Sequence, residues 1–239
     1  MEWHASNAEH LAYIDHQVGE HGLSPAIYEV VRRTIHATAD FDYLRSIHCS
    51  ENALKFGAAA LAARTTIVVD DPMVQVGIVR TIQDTFSNPV YCGAEAITRP
   101  QRSKSKVAWG VETLARRYPE AIFVIGQSAE ALSTLVSLIE AEEAAPALVI
   151  AAPPSFIPFK AVESAATPSK LSPKQKLAQL HVPHIVTTGT KGAACVAAAL
   201  LDGLLDLTWQ AYVRKAAAKR RHQEQNRNTQ TPFGAPVSV

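Results

Sequence analysis

One histidine in this 239-residue chain stands where it could do chemistry, in Arg33-Thr-Ile-His36-Ala-Thr-Ala-Asp40. It ends a helical pattern. Imidazole exchanges a proton near neutral pH, and a carboxylate four residues on is placed to orient it or raise its pKa. A structural histidine at a helix end fits the same spacing. A second group is Arg99, Arg102, Lys104 and Lys106, four cations in eight residues leading into another helix pattern. A helix N-terminus is already electropositive, so cations do nothing for the helix there. They suit a site that holds several carboxylates or phosphates, and a solvated basic loop is the competing account. Gly126-Gln127-Ser128 and Gly189-Thr190-Lys191-Gly192 are strand-to-helix turns with bare backbone N–H groups. Neither fits the dinucleotide or Walker pattern, and tight turning accounts for their glycines equally well.

Other chemistries find no support. His4, His10, His16 and His21 are spaced by six, six and five residues, which does not align them on one helical face for a metal. His181 and His184 flank Pro183 and read as structural. Cys49, Cys92 and Cys195 are odd in number and lack the C-x-x-C spacing, against a disulfide framework or a zinc knuckle and in favour of a reducing compartment. No Ser/His/Asp, Cys/His or paired-carboxylate motif stands out.

The elements that must position these residues alternate. Strand candidates at 65–70, 89–92, 121–126, 147–151 and 184–188 are mostly continuous apolar runs, as strands buried on both faces read. Helix patterns lie at about 24–37, 50–63, 72–86, 104–117, 128–143 and 191–213. Ser24-Pro25 supplies an N-cap followed by proline at the first helical position. The alternation predicts an α/β fold with a doubly wound parallel sheet of about five strands. Ligands in such folds sit at the carboxyl ends of the strands. Those ends are Asp70-Asp71, Gly93, Gly126-Gln127-Ser128, Pro153 to Phe159, and Gly189 to Gly192. The segment from Pro153 to Pro173 holds five prolines and reads as a long irregular loop.

Composition agrees with a globular chain: 47% of residues are hydrophobic and 19% charged. No uninterrupted apolar run reaches the roughly 18 residues of a membrane helix, and Met1-Glu2-Trp3-His4 is not a secretory leader. From Arg214 onward six basic residues face one acid, a net +5, which leaves 17 basic against 21 acidic residues, −4, in the body. The expected division is a body over 1–213 and a basic, disordered tail over 214–239. The slightly acidic body argues against nucleic-acid binding. From the residues alone, the chain is an α/β domain suited to a multiply anionic small molecule.

Taken together, the segments resemble the precorrin-8X methylmutase family. They are Arg33-Thr-Ile-His36-Ala-Thr-Ala-Asp40, Asp70-Asp-Pro-Met73-Val74-Gln-Val-Gly77-Ile78, Ile125-Gly126-Gln127-Ser-Ala-Glu-Ala131-Leu132, Pro153-Pro-Ser-Phe156, Glu163-Ser164 and Lys191-Gly192-Ala-Ala-Cys-Val-Ala197-Ala198-Ala199. The match runs in order from about residue 11 to 213. It implies a flavodoxin-like sheet, a cytoplasmic homodimer, and an isomerase that needs no cofactor or resident metal. The substrate would be precorrin-8X or cobalt-precorrin-8. A methyl group would move from C-11 to C-12 of ring C, giving hydrogenobyrinate or cobyrinate. His36 would be the catalytic histidine, and Arg99, Arg102, Ser105, Lys106, Gly126, Gln127, Lys191 and Gly192 would contact substrate. The chain departs from the pattern at Ser105-Lys106 (Thr-Arg in the family), Ala193 (serine), Ala39 (glycine) and the prolines Pro154 and Pro158. A non-catalytic corrinoid binder on the same fold, and a flavodoxin-like nucleotide or FMN domain, are the alternatives.

Overall fold

The computed structural model describes residues 5–97, 104–156 and 171–229. In chain order the elements are α1 (Ala5–Val18), α2 (Pro25–Thr38), α3 (Tyr43–Ser46), β1 (Ile47–Cys49), α4 (Ala53–Ala62), β2 (Ile67–Val69), α5 (Pro72–Asp84) and β3 (Val90–Cys92). They continue with α6 (Lys106–Arg117), β4 (Ile122–Ile125), α7 (Ala129–Glu140), β5 (Leu148–Ala151), α8 (Pro173–Leu177), β6 (His184–Thr187) and α9 (Ala194–Thr229).

The sheet order is β1-β6-β5-β4-β2-β3. The five parallel strands run β3-β2-β4-β5-β6, the flavodoxin-like order, and match the five runs read from sequence. The sixth, β1, is antiparallel to β6, with Ile47 opposite Thr187. Its three residues are too few to show a pattern, and pairing with β6 forms it. Thr188 N–H donates to Ser46 O at 2.7 Å and His184 N–H to Ser50 Oγ at 2.9 Å, bracketing the short strand at both ends.

Alternation along each central strand builds two cores. Ile67, Val69, Ile122, Val124, Leu148 and Ile150 point to the face covered by α1, α2, α4, α5 and α9. Val68, Phe123, Ile125, Val149 and Ala151 point to the face covered by α6, α7 and α8. Both faces are thus buried, which is why the strands read as unbroken apolar runs. The sheet order reverses between β2 and β4. The link from β2 to β3 leaves through α5 on one face, and that from β4 to β5 leaves through α7 on the other.

Helix α9 packs against α2, α4 and α5. Its stretch 194–219 is long and apolar enough to cross a membrane by length and composition, but about two thirds of its most apolar 18 residues are buried within the fold, as a core helix is. The helix also runs past 213 to Thr229. Ala216–Ala218 with the surrounding Lys, Arg, Gln and Glu are strong helix formers, so propensity carries the helix on where the apolar pattern stops.

Candidate active site

His36 lies in the last turn of α2. The helix starts from the Ser24 cap and Pro25 and stops at Ala39, which takes a left-handed conformation (φ 53°) while its N–H donates to Ile35 O at 2.7 Å. Helix α1 lies against α2, fastened by Asp15, which accepts from Tyr28 Oη at 2.6 Å and Arg32 Nη1 at 2.8 Å, and by buried Leu11 and Ile14. This brings the His10 ring to within 5.7 Å of the His36 ring. Together with Tyr13, Ile14, Ile35, Ala39 and Phe41 the two histidines line a pocket of about 230 Å³.

The partner expected for His36 is not the one found. Asp40 accepts from Lys191 Nζ at 2.6 Å through Oδ2 and from Asp42 N–H at 2.9 Å through Oδ1. The Lys191 bond holds Asp40 well below the usual carboxylate range. The His36 pKa is lowered, not raised: burial is the largest cause, followed by the like charge of His10 and that of Arg33. Burial and these two neighbours thus favour the neutral imidazole in the free protein.

Lys191 is engaged as well. Its Nζ bridges Asp40 and Asp42 at 2.6 Å each, so the turn after β6 is tied to the loop that leaves α2. Gly192 follows at φ +152°, and a Cβ there would stand 2.2 Å from Ala152 O, so its glycine allows the turn to pass close under β5.

At the switch point between β2 and β4, the N–H groups of Gly126, Gln127 and Ser128 are already taken. The first donates to Asp70 Oδ1 at 2.8 Å, the others to Oδ2 at 2.9 and 2.7 Å. Asp70 is fully buried, and its carboxylate occupies these three N–H groups at the switch point, where such folds bind ligands. Gly126 is required by packing too, since a Cβ would come within 2.8 Å of Ala194 Cα. Gln127 leaves only its exposed side chain for a ligand.

The cationic segment divides. Arg99 and Arg102 lie outside the described residues, as do Pro158 and Glu163-Ser164. Lys104 pairs with Glu112, and Ser105 caps α6 by accepting from Ala108 N–H while its own N–H donates to Glu130. Lys106 stands exposed at the first position of α6. No group of three or more His, Cys, Asp or Glu suited to a metal occurs among the described residues.

Residues 7–207 match the precorrin-8X methylmutase family. The chain belongs to that family. It is 36% identical over 216 residues to a cobalt-precorrin-8 methylmutase of Synechocystis sp., covering 84% of this chain and 94% of that protein. It is 32% identical over 203 residues to one from Leptospira interrogans, covering 82% and 89%. The solved precorrin-8X methyl mutase of Thermus thermophilus superposes with a TM-score of 0.74 at 31% identity, covering 87% of this chain and 99% of that one. Membership of the precorrin-8X methylmutases makes the chain an isomerase of cobalamin biosynthesis.

His10, Tyr13 and Asp70 are the residues whose place in the site the sequence does not disclose. Asp70 was on the expected rim, but as a ligand contact rather than an internal plug.

Proposed function

We propose that the chain moves the ring-C methyl group of precorrin-8X, or its cobalt form, from C-11 to C-12, with His36 protonating or hydrogen-bonding the ring-C nitrogen. The observation that carries this reading is the placement of His36 in an apolar pocket in a chain of this family. Protonating the nitrogen draws electron density from the conjugated system and lowers the barrier to a shift that breaks and forms one C–C bond without redox change. A positioned acid contributes roughly 10²–10⁴-fold. The fold favours the neutral form of His36 in the free protein, and a substrate with several carboxylates supplies the opposite charge that raises its pKa on binding. Lys106, the Gln127 side chain and, outside the described residues, Arg99 and Arg102 are our choices for contacts to the acidic arms. Lys191, Ser105, Gly126 and Gly192 support the site by shaping it. With the N–H groups of the turn after β4 all taken by Asp70, the FMN or nucleotide reading loses the bare amides it would need there.

A pocket of about 230 Å³ admits one edge of a tetrapyrrole, not the whole macrocycle. Exposed Met73 and Val76 on α5 favour completing the site with a second copy, in a cytoplasmic homodimer. The test is visible absorption of the purified protein with precorrin-8X, metal-free and cobalt-loaded. Conversion by the wild type and none by a folded His36→Ala is expected. Tight binding without a spectral change in the wild type would make it a corrinoid carrier instead, and full activity in His36→Ala would remove the assigned role.

A further inference from the structure

We propose that Lys174 is a positioning residue for the His36 site and acts through Lys191. The inference rests on the reading of His36 given above. Ser172 and Gln175 close a capping box, with Pro173 at the first helical position, that starts the short helix α8, and this places Lys174 beneath the turn that leaves β6. The side chain is 5% exposed. Its Nζ donates to Gly189 O at 2.9 Å, and to Thr187 Oγ1 and Lys191 O at 3.4 Å each. Thr187 Oγ1 itself donates to Lys191 O at 3.1 Å. Every acceptor is neutral, and Lys174 forms no ion pair among the described residues.

Burying an ammonium without a counter-ion is costly, and an apolar side chain of the same length would fill the space without that cost. What Lys174 provides is three donors converging on one turn. That turn presents Lys191, whose ammonium bridges Asp40 and Asp42. Asp40 follows His36 by four residues and begins the loop that leaves α2. A continuous set of contacts therefore runs from α8, through the backbone after β6, to the end of the helix that carries His36. Burial lowers the Lys174 pKa to about 8, so the ammonium form that supplies all three donors persists at neutral pH.

A double-mutant cycle of Lys174→Met, Lys191→Met and the pair tests this on the full chain, with two readouts. Amide hydrogen exchange without substrate should accelerate about tenfold in Lys174→Met at both 188–192 and 40–42, while β4 and β5 keep their protection. In the methyl-shift assay, kcat should fall about tenfold in either single variant, and the pair should be no worse than Lys191→Met. Lys174→Arg, which keeps the charge and the donors, should recover part of the loss. Lys174→Gln takes the place of Lys174→Met in the cycle should the latter not fold. Additive effects, or exchange that rises at 188–192 but not at 40–42, would overturn the proposal. Absence of turnover in the wild type would count against the isomerase reading alone, because the exchange cycle still decides the coupling.

Discussion

The Asp70 carboxylate, at the end of β2, accepts the Gly126 N–H at 2.8 Å, across the gap where the sheet order reverses. Its other oxygen takes the N–H groups of Gln127 and Ser128, the first turn leading into α7. Burial raises the carboxyl pKa above its ordinary value, and the three N–H donors offset part of that rise. The protein thus carries its own hydrogen-bond acceptor at the switch point, where this architecture usually binds a ligand.

Asp70→Asn should lose about 2–4 kcal/mol of stability, because hydrogen bonds to a charged acceptor disappear and the amide NH₂ opposes a backbone N–H. Urea unfolding measures this. A variant that melts within 0.5 kcal/mol (roughly the scatter of a neutral surface change) would show that the plug contributes little.

His10 holds the His36 pKa down, second to burial and ahead of Arg33. His10→Ala removes the like charge and admits water to the pocket, and both changes act upward. The His36 titration followed by NMR should move to higher pH, and the alkaline limb of kcat/KM, where the acid form is lost, should move with it. Because folding depresses this pKa, acid costs the wild type stability. As pH falls through the ordinary histidine value, the unfolded chain takes the proton while the folded chain resists. That loss should be smaller in His10→Ala. An unmoved titration would mean that the two rings do not interact.

The sheet was legible because both of its faces are buried. Ile67–Val69, Ile122–Ile125, Leu148–Ala151 and His184–Thr187 needed only their apolar runs to be seen. The site was legible at His36, whose local motif is distinctive, and much less so where function comes from distant segments. Nothing near Asp70 shows that a turn following β4 will bring it three N–H groups, and nothing near His10 shows that α1 will fold over His36. Lys174 was hidden differently, directly after the proline-rich stretch 153–173 that reads as loop, whose last residue, Pro173, in fact begins a helix. The strand-to-helix turn at Gly126-Gln127-Ser128 is as expected, but its amides are not bare, because Asp70 takes all three.

Asp202, on α9, carries a mostly buried carboxyl whose pKa burial pushes up to about 7, with repulsion from Asp206 adding to it and Thr81 and Arg33 opposing. Its Oδ1 has no hydrogen-bond partner among the described residues. Between the ordinary aspartate value and pH 7 the folded chain keeps a proton that the unfolded chain has lost, so stability falls as pH rises through that window. Asp202→Asn should therefore be more stable than the wild type by about 1–3 kcal/mol at pH 8, and by less at pH 5. Urea unfolding at the two pH values reads the difference. An equal gain at both would trace the effect to packing rather than ionisation.

Ala39 is the residue that ends α2, at φ 53°, where a Cβ is strained. Glycine there should stabilise the fold by about 0.5–1 kcal/mol, after allowing for the greater freedom glycine gives the unfolded chain. The same exchange two residues earlier, Ala37→Gly, lies within the helix and should cost about that amount instead. The two thermal melts should move in opposite directions. Ala39 also lines the His36 pocket, so Ala39→Gly removes a methyl group from its wall while keeping the helix end in place. Activity retained in a more stable Ala39→Gly would show that the alanine costs stability and serves no catalytic need. Lost activity with raised stability would show that its methyl group contacts the substrate.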